Sequence, residues 1–237
     1  MRTDSVRISA EAQQSALARI REVYGDEYAP EKPNFYATKK GAQDAHEAVR
    51  PIDLSMTPEK AKKLLDRKHF ALYKLIYERF LASQMAEAKY NSTQMEIDNS
   101  GYIFKASGRV LLFAGYTKIY QEAAPRKEDE DEPSSSKLLP DLKEGDTLDL
   151  VSMNKEQKFT KPPLRYTDAS LVKAMEEKGI GRPSTYATII SKLNQKYLKK
   201  DGKYMLPAPV AYDVVDMLVK CFQDIMDVGF TAGMENK

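Results

Sequence analysis

The sequence is short of the residues that build disulfides and soft metal sites. Its 237 residues include one cysteine, Cys221, and two histidines, His46 and His69. A single thiol excludes an internal disulfide and any cysteine-based metal cluster within the chain. His69 falls in a separate aromatic segment, so His46 has no neighbouring histidine with which to pair on a metal. Cys221 sits in the apolar run VVDMLVKCF, which predicts a buried, structural thiol. No stretch approaches the roughly 20 apolar residues of a membrane span, and no secretory leader is recognisable. The expectation is a cytoplasmic protein without a membrane partner. Net charge is nearly absent too, +2 at pH 7. Bulk charge therefore does not announce a nucleic acid, and only its distribution can.

What is present changes character twice along the chain. Ser9 before AEAQQSALARIREVY predicts a capped helix ended by Gly25, with Ala16, Ile20 and Val23 on one face. The Pro- and Gly-rich stretch GDEYAPEKPNFYATKKGAQDAHEAVRP reads as extended loop with one short helical turn. In SMTPEKAKKLLDR, Thr57 is a cap and Pro58 suits the first helical position. HFALYKLIYERFLASQMAEA is the strongest helix. Phe70, Tyr73, Tyr77, Phe80 and Gln84 recur at steps of three and four, which reads as core packing.

The period then becomes two. KYNSTQMEIDNSGYIFKASGRVLLF alternates around a turn at Asn99 to Gly101 and predicts β-hairpins. The acidic run Glu128 to Glu132, beside three serines, reads as a solvated loop between strands, and strand character returns in DTLDLVSMNKEQKFT. After the linker KPPLRY the pattern is helical again. Thr167 caps DASLVKAMEEK, Gly179 stops it, and a second helix starts near Pro183. YLKKDGKYML reads as a two-stranded wing with an Asp-Gly turn, and a last helix follows Pro207. The order helix, helix, wing, helix is winged-helix-like, an arrangement common in DNA-binding modules.

Three stretches carry candidate chemistry. In GIGRPSTYATII, Gly179 and Gly181 allow a tight turn and Pro183 suits a helix start. The N–H groups of Ser184, Thr185 and Tyr186, two hydroxyls and the Arg182 guanidinium would make a seat for one phosphate. The alternative is a well-capped helix start with a surface arginine. Between Pro162 and Leu206, nine lysines and arginines stand against four acids, whereas two lysines and five acids follow Pro207. Tyr166, Tyr186, Tyr197 and Tyr204 are interleaved with these cations. Cations along a backbone and aromatics for bases to stack on suit single-stranded nucleic acid; an ordinary solvated basic face is the other reading. In GAQDAHEAVRP, His46, Glu47 and Arg50 lie within five residues. His46 reads either as structural or exposed, or as a group able to donate to a phosphate. The opening RTDS offers Arg2 as an anion clamp, the hydroxyls of Thr3 and Ser5, and Asp4, but no nucleophile beside an activating base.

Together MRTDS, AHEAVRP, GIGRPSTYA and FTAGMENK (Phe230 to Lys237) resemble, in order and over essentially the whole chain, the bacterial type IA DNA topoisomerases. The family's active-site motif reads Tyr-Met-Arg-Thr-Asp-Ser. Met after the tyrosine resembles the topoisomerase I branch, whereas the topoisomerase III branch has Pro there. The resemblance implies that Met1 follows the position of the nucleophilic tyrosine, and that the chain is a central fragment of a larger enzyme. By the same resemblance it lacks that tyrosine, the Toprim domain whose acidic cluster binds Mg2+, and the carboxy-terminal DNA-binding region. The fragment alone is then expected to be inactive and to hold no metal ligands.

The fold implied is α+β and multidomain, part of the toroidal topoisomerase core. Residues 1–86 would form a helical gate domain. Residues 87–163 would form a β-rich hinge segment with the acidic loop 126–137 away from DNA, its sheet left with an exposed edge by a segment expected upstream. Residues 164–237 would form a helical domain that binds single-stranded DNA. The implied activity is relaxation of negatively supercoiled DNA without ATP, by single-strand cleavage through a 5′-phosphotyrosyl link, strand passage and religation. By resemblance Arg2 contacts the scissile phosphate, Asp4 holds the local hydrogen-bond network, and His46 completes the catalytic set as a conformational or DNA-contacting residue of the same domain. Arg182, Ser184 and Thr185 hold the DNA backbone. Lys196 places a point charge where many members carry an arginine fork. The implied partner is the single-stranded region of negatively supercoiled DNA, the state monomeric, and the place the nucleoid. A non-enzymatic winged-helix module, preferring duplex and reading base edges, is the alternative.

Overall fold

The computed structural model describes residues 1, 5–37, 46–121, 139–140 and 142–235. Arg2, Asp4 and the acidic loop 126–137 lie outside the described residues. The chain divides into two compact units, Met1–Ser152 and Met153–Lys237. Its α+β content matches the expected class. Among the described residues no helix is long and apolar enough to cross a membrane.

The first unit opens with α1, Ala10–Tyr24. Ser9 caps it, its side chain accepting from the Ala12 N–H at 3.3 Å, and Gly25 ends it at φ +105°, where a side chain would be strained. Ala16 and Ile20 are fully buried, as their spacing predicts, but Val23 is exposed and Leu17 takes its place. The apolar arc is rotated toward Leu17 because α1 lies against α3. Thr57 and Pro58 start α2, Pro58–Ala61, as expected, but this helix is a single turn. A second cap, Asp66, starts α3, Arg67–Gln84, accepting from the N–H groups of Lys68 and His69. Tyr77, Phe80, Leu81 and Gln84 of α3 are buried. The first three of these form the hydrophobic core with Ala12, Ala16, Leu17, Ile20, Tyr28 and Met85, to which Phe113 and Ile119 add apolar contact. Burying Ile20 or Leu81 stabilises by about 2 kcal/mol each.

The junction after α3 joins helices to hairpin. The C-terminal carbonyls of a helix have no intrahelical donor. Here Asn34 Nδ2 donates to the carbonyls of Ser83 and Met85, at 3.0 and 2.9 Å. The Tyr36 hydroxyl also donates to Ser83 O at 2.6 Å. Gln13 of α1 in turn donates to Asn34 O at 2.8 Å. Ala86 N–H donates to Tyr28 O and Tyr116 N–H to Ala86 O, at 2.8 and 2.9 Å. The extended loop of the sequence reading is thus pinned along one edge of the core.

Strands β1, Lys89–Asn99, and β2, Tyr102–Phe113, pair antiparallel in one long hairpin. Ser100 and Gly101 form the two-residue turn with φ of 55° and 85°, the left-handed pair that matches strand twist. Tyr102, Ile103, Phe104, Leu111 and Leu112 remain exposed. The sheet has two strands among the described residues, so each strand leaves one edge unpaired. The expected strand in DTLDLVSMNKEQKFT is absent; residues 147–160 are irregular and exposed. Alternation gives a segment strand propensity, but a strand forms only on a neighbour's backbone, and among the described residues none pairs with it.

In the second unit, α4, Asp168–Glu177, is capped by Thr167 in a reciprocal box with Ser170. Then follow α5, Tyr186–Lys196, the wing strands β3, Leu198–Asp201, and β4, Tyr204–Pro207, and helices α6, Pro209–Cys221, and α7, Val228–Glu235. Gly202, at φ +56°, turns the wing. Met205 N–H donates to Tyr166 O and Ala208 N–H to Tyr197 O, both at 2.8 Å, tying wing to helices. Helix α6 follows Pro207 as expected, starting at Pro209, but Cys221 is exposed, contrary to expectation. An apolar run buries its thiol only when another layer covers it, and none of α6 is buried among the described residues.

A methyl group at Gly115 would lie 2.5 Å from the carbonyl carbon and oxygen of Glu87, and the residue holds φ +48°. Gly115→Ala is expected to lose about 2 kcal/mol and to lower the melting temperature of the first unit, measured by circular dichroism. An unchanged melting temperature would show that the junction does not hold this unit.

Candidate nucleic-acid interface

Two sequence motifs that lie about forty residues apart meet in the first unit. The buried Ser5 hydroxyl donates to the His46 carbonyl at 2.7 Å and accepts from Arg7 N–H at 3.2 Å. Ala48 N–H donates to Arg7 O at 2.8 Å. Ser9 N–H donates to Glu47 Oε1 at 2.8 Å, while Glu47 Oε2 meets Arg50 Nη2 at 3.2 Å. The AHEAVRP segment therefore runs beside the residues that follow the opening motif, and the Glu47 carboxylate sits at the start of α1, where the helix dipole favours an anion. An open cleft of about 480 Å³, lined by Arg7, Ile8, Ser9 and Glu47, lies at this junction. Ser5 is a structural tie through the backbone of His46, and that backbone contact places His46, half-buried, next to the opening motif. Arg2 and Asp4 fall outside the described residues.

Partial burial tends to raise the Glu47 carboxyl, but the Ser9 N–H and hydroxyl and the Arg50 guanidinium outweigh it and hold the group below its ordinary value. Neither glutamate nor arginine here was assigned a role from spacing alone. The contact is set by how the loop folds back over α1.

In the second unit the loop 179–185 carries the other candidate residues. Helix α4 ends in a double bond pattern, Gly179 N–H to Glu176 O and Ile180 N–H to Met175 O. This needs the left-handed Gly179, at φ +71°. Gly181 is also left-handed, and a Cβ there would lie 2.9 Å from the Tyr186 ring. The helix start differs from expectation. Residues 183–185 form a turn and α5 begins at Tyr186. The N–H groups of Thr185 and Tyr186 both donate to Arg182 O, at 2.8 and 3.1 Å. The Thr185 hydroxyl accepts from Arg182 N–H at 2.8 Å. Two of the three expected backbone donors are thus engaged within the turn, because the residue that suits a helix start, Pro183, here starts a turn instead. Ser184 and Thr185 are exposed.

The Arg182 side chain, 43% exposed, is anchored at the C-terminal end of α7. Its Nη1 donates to Gly181 O at 2.8 Å and to Glu235 Oε2 at 3.2 Å, and its Nη2 to Glu235 O at 2.5 Å. Gly181 N–H donates to the other carboxylate oxygen, Oε1, at 3.0 Å. Nothing in the spacing of residues separated by more than fifty positions pointed to Glu235; its motif was legible, its contact was not. Lys196, exposed on α5, has its Nζ 5.4 Å from the Tyr197 ring. Lys203 lies similarly over Tyr204 at 5.2 Å, and Lys200 pairs with Asp168 at 2.5 Å. Cations and tyrosines are therefore adjacent, as the interleaving implied. Among the described residues no three histidine, cysteine or acidic side chains converge to hold a metal ion.

A family model described as DNA topoisomerase matches residues 1–237. The chain is 45% identical over its whole length to DNA topoisomerase 1 of Campylobacter jejuni, of which it covers 33%. It is 43% identical to DNA topoisomerase 1 of Vibrio cholerae, of which it covers 26%. Full-length topoisomerase I from Thermotoga maritima superposes on all of it with a TM-score of 0.83 at 39% identity, the chain covering 37% of that structure. The loop 179–185 sets an arginine beside exposed hydroxyl-bearing residues in a basic unit, and the match over residues 1–237 places the chain in the bacterial type IA DNA topoisomerase family. It spans about a quarter to a third of the length of the curated relatives it matches.

Because Glu47 is held ionised, its contribution is complete above about pH 4.3 and disappears as the pH falls through its lower, folded value. Glu47→Gln is expected to cost about 1 kcal/mol at pH 7 and nothing at strongly acidic pH. Urea unfolding of both proteins across that range checks this; a constant difference would place the effect in packing.

Proposed function

We propose that this chain is a DNA-holding portion of a type IA topoisomerase that relaxes negatively supercoiled DNA without ATP. The reaction is cleavage of one strand through a 5′-phosphotyrosyl link, passage of the other strand, and religation. Phosphodiester energy is kept in the covalent link, which is why no nucleotide is consumed. The observation that carries this reading is the loop 179–185. It presents a partly exposed Arg182 beside the exposed hydroxyl-bearing residues Ser184 and Thr185, on the segment where positive charge is concentrated.

In this reading Arg182, Ser184 and Thr185 hold the sugar–phosphate backbone of the strand leading to the cleavage point. Lys196 adds attraction without fixed geometry. Tyr166, half exposed, offers a face for base stacking. Arg2 steadies the charge that develops on the scissile phosphate when the family's tyrosine attacks, Asp4 orders the donors around it, and His46, whose carbonyl accepts from the Ser5 hydroxyl, donates to the same phosphate. Mg2+ belongs to the acidic cluster of the larger enzyme and acts outside the residues described.

The test is binding of a labelled single-stranded oligonucleotide and its duplex over a salt series. Single-strand preference is expected, with an affinity that falls steeply with salt. Arg182→Ala should weaken binding about tenfold, and Lys196→Ala, a surface change that leaves the loop intact, about two- to threefold. A preference for duplex would favour the winged-helix alternative, and binding unaffected by either variant would remove this loop from the DNA site.

A further inference from the structure

Glu235 grips the loop 179–185 at two points. One carboxylate oxygen accepts from Gly181 N–H at 3.0 Å and the other from Arg182 Nη1 at 3.2 Å. The backbone carbonyl of the same residue accepts from Arg182 Nη2 at 2.5 Å. Three contacts from one residue thus fix both the backbone and the side chain of the arginine that the preceding section places on the DNA backbone. The last carbonyl of α7 carries the negative end of its helix dipole, which adds to the hold on the guanidinium. Gly181 is tightly confined on its other side by Tyr186 and Ile189, so the loop is held between α5 and the end of α7.

We propose that Glu235 is the positioning residue for Arg182. It sets the guanidinium in a single orientation so that the remaining part of its surface meets a backbone phosphate, and it keeps the Gly181 peptide turned for that purpose. This rests on the reading that Arg182 contacts the strand. An arginine free to sample many rotamers loses that freedom on binding, at a cost the pre-formed pair avoids. The Arg182 side chain remains 43% exposed and keeps its positive charge, so a phosphate can share it with the carboxylate.

The experiment measures single-strand affinity and its salt slope for the 237-residue chain and for Arg182→Ala, Glu235→Ala, Glu235→Gln and the double variant Arg182→Ala/Glu235→Ala, with melting temperature recorded for each. Glu235→Ala should weaken binding about five- to tenfold and reduce the salt slope by about 0.7, the loss of one phosphate contact on a single strand. Glu235→Gln keeps an acceptor for Gly181 N–H and should recover part of the loss. In the Arg182→Ala background, removal of Glu235 should have no further effect on affinity. A purely structural residue would lower the melting temperature and leave the slope unchanged, which overturns the proposal. Tighter binding by Glu235→Ala would make the carboxylate a competitor of the phosphate and also overturn it. If Arg182→Ala itself binds as the unaltered chain does, the reading of the loop as a DNA site fails instead.

Discussion

The first unit depends on how the carbonyl groups at the C-terminal end of α3 find donors. A helix end with buried, unmatched carbonyls is costly, and neither glycine nor a continuing helix resolves it here. The side chains of Asn34 and Tyr36, from a loop some fifty residues earlier, supply the bonds. That choice draws the loop across α1, where Gln13 holds it. It also brings Tyr28 against Phe113, with ring centroids 4.8 Å apart, and presses Gly115 onto the backbone of Glu87. Helices and hairpin are joined through one small network of backbone partners.

The same economy places the chemistry. Ser5 and Glu47 bond to backbone atoms of each other's segments, and a stretch that would be loop by composition becomes the support of the opening motif. In the second unit the guanidinium of Arg182 does comparable work. It closes its own turn through Gly181 and anchors α7 through Glu235, while the side chain still reaches solvent. A residue that both builds a loop and carries charge on its surface can offer that charge in a fixed place, which suits recognition of a regularly spaced phosphate backbone.

The basic surface of the second unit is less uniform than a count of cations implies. Lys200 is occupied by Asp168 and Lys196 lies near Tyr197. The aromatic residues beside the cations keep part of the positive charge over a π-face, so stacking and electrostatic attraction are offered from adjacent positions. Duplex recognition through a groove would need a helix with side chains aimed at base edges. In the proposed reading these features serve a backbone and an unstacked base.

Local signals determined much of this protein. Ser9, Thr57 and Thr167 cap helices because a side-chain oxygen meets an N–H three residues away. Ser100-Gly101 and Gly202 turn hairpins because few residues accept φ above zero, and the aromatic stripe of α3 is buried at Tyr77 and Phe80 because a 3.6-residue period makes one face. The four ordered motifs carried the family. Tertiary structure alone decided the rest. Val23 gave way to Leu17 because the arc facing α3 depends on where α3 lies. The alternating segment 147–160 stayed irregular, and Cys221 stayed exposed, because strand pairing and burial require a partner surface that no local pattern encodes. The grip of Glu235 on Arg182 belongs to the same category: it spans 53 positions of sequence, and only the return of the chain brings the two charges within bonding distance.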